Sequence, residues 1–344
     1  MFKRVCVVAS VLVLLTACSS NKSNVNDPIT YVSNTNTPAT IENTSNTPLI
    51  ESPKNKELGR NPNTFILNYD NNKIYYKSYA LINGENRYQG LFSKNIDGTN
   101  KKLLYSDFEG FLNVYNDFLY FTNTKGQLIE LNLSSQKAEV IAGDDKYHIY
   151  GPLIIQDVLF YNNIDDEDNC YLIAYNLKEK DKIVVAENTW WRFLSNFKNE
   201  VCFLDKNKNL TTWNYTTKNY TSHGHFDMEI LQMLNDGSVI GYKDKSFIKS
   251  LNGKLTPLLK VENMFNSLIV DDNLFITTVD EHSYTQILRY SLKTNKLEKI
   301  ASPDFPLVGY YSKYLFCSSD SGMGDLQIVD TENGEYKTFD DRFN

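Results

Sequence analysis

The chain has 344 residues, with 35 Lys and Arg against 42 Asp and Glu, a formal net charge of −7. Acidic and basic residues are interspersed and no basic patch forms, which argues against nucleic-acid binding. Beyond the N-terminal segment no apolar run approaches the roughly 18 residues of a membrane-spanning helix.

The first element is the N-terminal segment itself. Lys3-Arg4 precede an uncharged apolar run over 5–15, followed by Leu15-Thr16-Ala17-Cys18. As a helix, 11 residues rise about 16 Å, roughly half a bilayer core. That is too short to span, and it fits the apolar region of an export signal. The arrangement resembles the signal and lipobox of bacterial lipoproteins. The resemblance implies cleavage after residue 17, lipidation of Cys18 through a thioether, and a mature chain held by lipid on the extracytoplasmic face of the cell membrane. An ordinary secretory signal with a chance cysteine is the alternative. Loss of Lys3 and Arg4 would leave 33 basic residues against 42 acidic ones, a net charge of −9.

Residues 18–63 read as a tether. Positions 19–63 hold ten Asn, six Thr, six Ser and five Pro, with Tyr31 the only aromatic. Such a stretch buries too little apolar surface to offset the entropy of ordering it. As a flexible coil its ends would lie on the order of 35–40 Å apart.

From Phe65 onward the chain repeats, and residues 64–344 are expected to form one domain. An apolar strand recurs at Ile74, Leu119, Leu159, Val201, Val239, Leu274 and Leu315, in steps of 45, 40, 42, 38, 35 and 41 residues. Around each lie a preceding strand, a third strand and, after a polar turn, a short fourth one. Turn chemistry falls where hairpins need it, at Asp97-Gly98-Thr99-Asn100, Asn252-Gly253 and Asn333-Gly334. Apolar triplets in the second strands fit a sheet covered on both faces. No amphipathic helical pattern appears. The period and the strand pattern predict an all-β, seven-bladed β-propeller. The fifth unit is short and weak, so six blades plus an irregular segment is the alternative. The segment Tyr336-Lys337-Thr338-Phe339 supplies the last unit with its own fourth strand, so no strand exchange between the termini is needed.

The run Leu91-Phe92-Ser93-Lys94-Asn95-Ile96-Asp97-Gly98-Thr99-Asn100-Lys101-Lys102-Leu103-Leu104 resembles repeats of the bacterial DUF5050 type. These are similar to the YWTD propellers of low-density-lipoprotein-receptor-related proteins. Tyr75-Tyr76 and Tyr120-Phe121 fit the same pattern, whereas the later units lose the Asp-Gly-Thr-Asn turn and no YWTD tetrapeptide occurs. The resemblance implies a propeller and brings no catalytic residues with it.

Candidate sites are few. His223, His225 and Asp227 form the only histidine cluster, a possible zinc or copper ligand set placed in a loop between units four and five; a polar loop is the alternative. Asp165, Asp166 and Asp168, in an acidic hairpin with Glu167 and Asn169, offer oxygen ligands for calcium, the one cofactor considered; a solvated turn is the alternative. Trp190 and Trp191, expected just before a first strand, and Trp213 are the only tryptophans and suit stacking on a glycan or a protein hot spot. Core packing is the alternative. Cys170, Cys202 and Cys317 are too sparse for a disulfide framework and read as buried thiols, with a single disulfide as the alternative. No short catalytic motif occurs.

The expected function is a lipid-anchored binding module of the envelope whose partner is a protein or glycan. An envelope hydrolase or lyase using the propeller funnel, and a scaffold in a surface complex, are the competing classes. Replacing Cys18 with Ser should release the chain or leave it unprocessed while the propeller stays folded. Membrane fractionation with a protease-resistance assay checks both halves, and loss of the resistant core would contradict the division into anchor and domain.

Overall fold

The computed structural model describes residues 67–70, 73–82, 86–95, 97–143, 148–282, 284–311, 313–318 and 326–339. Cys18 and the tether lie outside the described residues.

All regular structure here is β-strand, organised as seven four-stranded antiparallel meanders, each in the order first-second-third-fourth strand. The first strands are Leu67–Asp70, Gly110–Tyr115, His148–Ile155, Thr189–Phe197, Glu229–Met233, Met264–Val270 and Leu307–Tyr311. They pack side by side in cyclic order, and blade seven's first strand also meets blade one's, closing a ring. The fold is thus a seven-bladed propeller. The fifth unit is a complete blade, from Glu229–Met233 to Lys254–Lys260, which removes the six-blade alternative. Blade seven ends on its own fourth strand, Tyr336–Phe339, paired to Leu326–Asp330.

The core lies between blades. Seven buried apolar clusters exist, one for each interface around the ring. Alternation along the second strand explains this, because successive side chains point to opposite faces of a sheet. In blade two, Leu119 and Phe121 enter the interface with blade one, whereas Tyr120 enters the interface with blade three. In blade six, Phe275 faces blade seven and Leu274 and Ile276 face blade five. The apolar triplets are therefore runs that serve two interfaces at once.

Polar side chains brace these interfaces. Asn113 of blade two donates through Nδ2 to the Pro152 carbonyl of blade three at 2.7 Å, and Asn266 of blade six does the same to Leu307 of blade seven at 2.8 Å. Glu130, largely buried in blade two, accepts from Tyr120 at 2.9 Å and from Lys180 of blade three at 2.6 Å. At the seam between blades seven and one, buried Lys94 holds its ammonium 4.9 Å from the Tyr76 ring centre.

The turns repeat as well. Between third and fourth strands, Asn132, Asn176 and Asn214 each accept two backbone N–H groups of the following turn through Oδ1. The fifth residue of each turn is left-handed: Gln136, Lys180, Lys218, Asn295 and Gly334. Such Asx turns satisfy backbone donors locally and fix the hairpin.

A meander puts the turns joining strands one to two and three to four at one end of the ring. It puts the turns joining strands two to three, with the connectors to the next blade, at the other, called here the connector end. Backbone bonds tie each set together: Leu177 N–H reaches the Asp157 carbonyl at one end, and Val261 N–H reaches the Lys245 carbonyl at the other.

Trp213 is 2% exposed and meets Phe160 across the interface of blades three and four, with ring centres 6.1 Å apart. Replacing Trp213 with Ala should cost about 3–5 kcal/mol, the usual range for deleting a buried large aromatic. Urea unfolding of the isolated domain reads this directly; a loss below about 1 kcal/mol would show that the interface does not carry the fold.

Candidate functional site

The inner wall of the ring is irregular in one consistent place. Each described first-to-second strand pairing from blade two to blade seven contains a register shift near the connector end. Each leaves extra residues on the first strand, as β-bulges do, and re-aims their side chains. Blades five, six and seven insert one residue each, Leu231, Phe265 and Val308. Blade four has the longest excursion: Thr189 pairs with Asp205 and the next pairing is Leu194 with Phe203, so residues 190–193 stand opposite Leu204 alone. In blade two Phe111 is left-handed at φ 56° and its ring meets Tyr150 of blade three, 6.1 Å between centres.

These bulges place aromatic side chains in solvent. Trp190 is 39% exposed and Phe265 is 62% exposed, and Tyr284, in the connector-end turn of blade six, is 67% exposed. The other exposed large apolar residues lie elsewhere. Leu103, Val140, Val184, Tyr220, Leu255, Leu297 and Tyr336 occur one on each outermost strand, and Leu251 closes a third strand. The connector end thus carries the exposed aromatics that lie off the outermost strands, among the described residues.

The tryptophans part company. Trp190 and Trp191 lie inside the first strand of blade four, not before it, because the bulge lengthens that strand at its start. Trp213 is a correction: its indole is enclosed by Phe160, Tyr215 and Tyr220 and offers no surface to a ligand.

The histidine cluster is also relocated. His223 and His225 belong to the fourth strand of blade four, Tyr220–His225, and only Asp227 lies in the connector. Pairings between third and fourth strands shift register at one shared place in blades one to six. The residue left over is Leu104, Ile141, Val185, Leu258 or Ile300 in five blades, each packed into the interface with the next blade. In blade four that residue is His223. Its Nε2 lies 3.1 Å from Thr212 Oγ1, and its ring meets Phe197 edge-on. His225 holds Nδ1 2.8 Å from the Asn207 carbonyl oxygen, and Asp227 pairs with Lys243 at 2.7 Å. The three side chains are engaged with three different partners. Among the described residues no group of three or more His, Cys, Asp or Glu converges as a metal site.

The acidic hairpin is a structural turn shared with its neighbours. Asp165 Oδ1 accepts the N–H groups of Glu167 and Asn169, and Oδ2 accepts from Asn169 Nδ2 at 3.0 Å. Asp205 in blade four and Asn123 in blade two accept backbone N–H groups in the same pattern. These bonds hold the Asp165 carboxyl below its ordinary pKa, the Asn169 amide contributing most. Asp166 and Asp168 are exposed beside it. Cys170, which follows the turn, lies with its Sγ 3.1 Å from Oγ1 of Thr189, the residue before Trp190. Cys170, Cys202 and Cys317 are all free and buried. Burial raises the thiol pKa of each, which keeps them as unreactive small hydrophobes.

No family model matches the chain, and no curated protein is similar to it. Its fold is shared by solved structures at low sequence identity. The β-propeller domain of the Trilobed protease from Pyrococcus furiosus, described as having an open velcro topology, aligns with TM-score 0.57 and 11% identity over 81% of this chain and 96% of that one. A puromycin-hydrolyzing peptidase of Mycobacterium tuberculosis aligns with TM-score 0.58 and 9% identity, over 84% of this chain but 55% of the peptidase. The computationally designed protein Ika8 aligns with TM-score 0.51 and 10% identity over 80% of this chain and 86% of that one. At these identities the likeness is one of fold.

His223 generates a pH dependence. Burial lowers its pKa, the nearby Glu200 carboxylate opposing in part. The unfolded chain then binds a proton more readily than the folded one. Stability is fully present above about pH 6.5, the ordinary histidine value, and falls as pH drops through the lower folded pKa. Replacing His223 with Leu, the residue type of the other blades, should flatten that loss; thermal melts of both proteins between about pH 5 and 8 measure it. An unchanged slope in the variant would assign the pH response to another group.

Proposed function

We propose that the chain is a lipid-anchored binding module of the bacterial envelope, fixed by lipid on Cys18 and presenting the connector end of its propeller to a partner. One observation carries this reading: Trp190, Phe265 and Tyr284 stand exposed at one end of the ring, two of them on strands that bulge there. Exposed aromatic side chains with few rotatable bonds are the residue type that dominates binding hot spots. The resemblance of the segment before Cys18 to a lipoprotein signal supports the envelope setting.

The competing enzyme reading draws on the peptidases that share the fold. This chain spans just over half of the mycobacterial peptidase, and a fold alone does not transfer a reaction. Of the carboxylates named as possible metal ligands, Asp165 closes a turn and Asp227 pairs with Lys243.

The test uses the full-length lipidated chain in intact cells. Chemical cross-linking should give a discrete adduct, and the double substitution of Trp190 and Phe265 by Ala should reduce it at least about fivefold with the melting temperature unchanged, as for loss of two exposed anchors. An identical adduct pattern in the variant counts against a binding role for this end. Turnover of a peptide or glycan by the purified chain would move the assignment to the enzyme class.

A further inference from the structure

The two ends of the ring differ in charge. Among the described residues that lie between strands, the connector end holds twelve carboxylates against four lysines. The opposite end holds ten against nine, counted the same way. The lysines of the opposite end sit mainly in the turns between third and fourth strands, as Lys137, Lys178, Lys180, Lys218, Lys293 and Lys296. Several pair with acids nearby: Lys178 with Asp157, and Lys293 with Asp272. Blade seven keeps that second pair with the signs exchanged, Lys313 to Glu332 at 2.9 Å. Charge at that end is therefore balanced within the turns. At the connector end Asp227 pairs with Lys243, Glu262 with Lys260 and Glu109 with Lys77, yet the carboxylates still outnumber the lysines. The described connectors between blades contribute Asp107, Glu109, Asp227, Glu262 and Asp304, and no basic residue.

The exposed aromatics stand at the same acidic end. We propose that the connector end is a docking surface for an extended, lysine- or arginine-rich segment of a partner protein. This rests on the binding-module reading and specifies its ligand chemistry. Ammonium and guanidinium groups pack favourably on indole and phenyl faces, and their aliphatic stems cover apolar surface while the charge stays in water. An acidic surface raises the local concentration of a cationic partner and steers its approach. The turn that carries the exposed Asp166 and Asp168 leads into Cys170, whose Sγ lies 3.1 Å from Oγ1 of Thr189, the residue before Trp190. Phe265 and Tyr284 lie two blades further round, with Glu262 and Glu281 close to them in sequence. A small amine would fill one of these positions. Aromatic and acidic groups spread over blades three to six fit a chain that crosses several of them.

The experiment measures fluorescence anisotropy of a labelled oligolysine peptide of about ten residues against the purified mature chain at near-physiological salt, where loose surface attraction is screened beyond about 8 Å. Saturable binding is expected, and an oligoglutamate peptide should not bind. Replacing Trp190 with Ala, or Asp166 and Asp168 together with Asn, should weaken it about three- to tenfold each, with Asp165 left to close the turn. Lys178→Gln, at the opposite end, should leave it unchanged. Absence of saturable binding overturns the proposal, as does binding indifferent to the Trp190 and Asp166/Asp168 substitutions. Spermine competing as well as the peptide, molecule for molecule, would replace the extended partner with a small amine. Calcium binding at the turn with displacement of the peptide would make those carboxylates a metal site. If the cellular adduct is lost in the Trp190 and Phe265 double variant while oligolysine fails to bind, the module stands and only its cationic ligand is wrong. If both fail, the module reading falls too.

Discussion

Every blade of this propeller depends on its neighbours for a core. A four-stranded meander has two faces, and here both are apolar along the second strand. Neither face is buried within the blade, so each of the seven clusters forms only when two blades meet. Closing the ring is then a condition of stability rather than a later event. Phe316, Leu326 and Ile328 of blade seven are enclosed where Ile74, Tyr76 and Phe92 of blade one reach them. Among the described residues no shared strand ties this seam. It is held by side-chain packing, with buried Lys94 over Tyr76 beside it.

The same constraint decides where function is accessible. Second strands are committed on both faces, as the burial of Phe121, Leu204 and Ile276 illustrates. What remains free is the outermost strands and the two ends. At the inner wall the bulges convert a packing strand into a presenting one, because an extra residue cannot keep both neighbours' interfaces in register. Trp190 and Phe265 are exposed for that reason. The outermost strands each leave one large apolar side chain in water, but these sit singly around the rim, a distribution that is ordinary for a soluble surface.

The fold was readable in the sequence because its two determinants are local. The recurrence of an apolar strand at 35–45 residues and the Asn-Gly and Asp-Gly turns are properties of short segments. The site was not readable for the opposite reason. Whether Trp190 faces solvent depends on how many residues stand opposite Leu204, and pairing register is not written in either strand alone. Phe265 and Tyr284 carry no motif, and nothing in the text of the chain separates them from the many aromatic residues that pack between blades. The histidines misled for a related reason. His223-Gly224-His225 has the alternation of a ligand pair, but a bulge at His223 sends the two rings to different partners. Aligning blades by register instead of by residue type shows that His223 occupies the place of Ile141 and Val185.

The acidic turn shows how repeat context changes the meaning of a residue. Taken alone, four acids in five positions ask for a cation. Set beside Asn123 and Asp205, which hold the same turn in the adjoining blades, Asp165 is one of a series of backbone caps, and its lone pairs are spent on N–H groups. Its neighbours Asp166 and Asp168 are not required by that geometry, since blades two and four close the equivalent turn with Thr124-Lys125-Gly126 and Lys206-Asn207-Lys208. Residues that a repeat needs recur in every copy; residues present in one copy alone, at the solvent-facing positions of a turn, answer to something outside the fold. By that criterion Asp166, Asp168 and Trp190 are set apart from the series, and the Cys170–Thr189 contact joins the turn of the first two to the strand that carries the third.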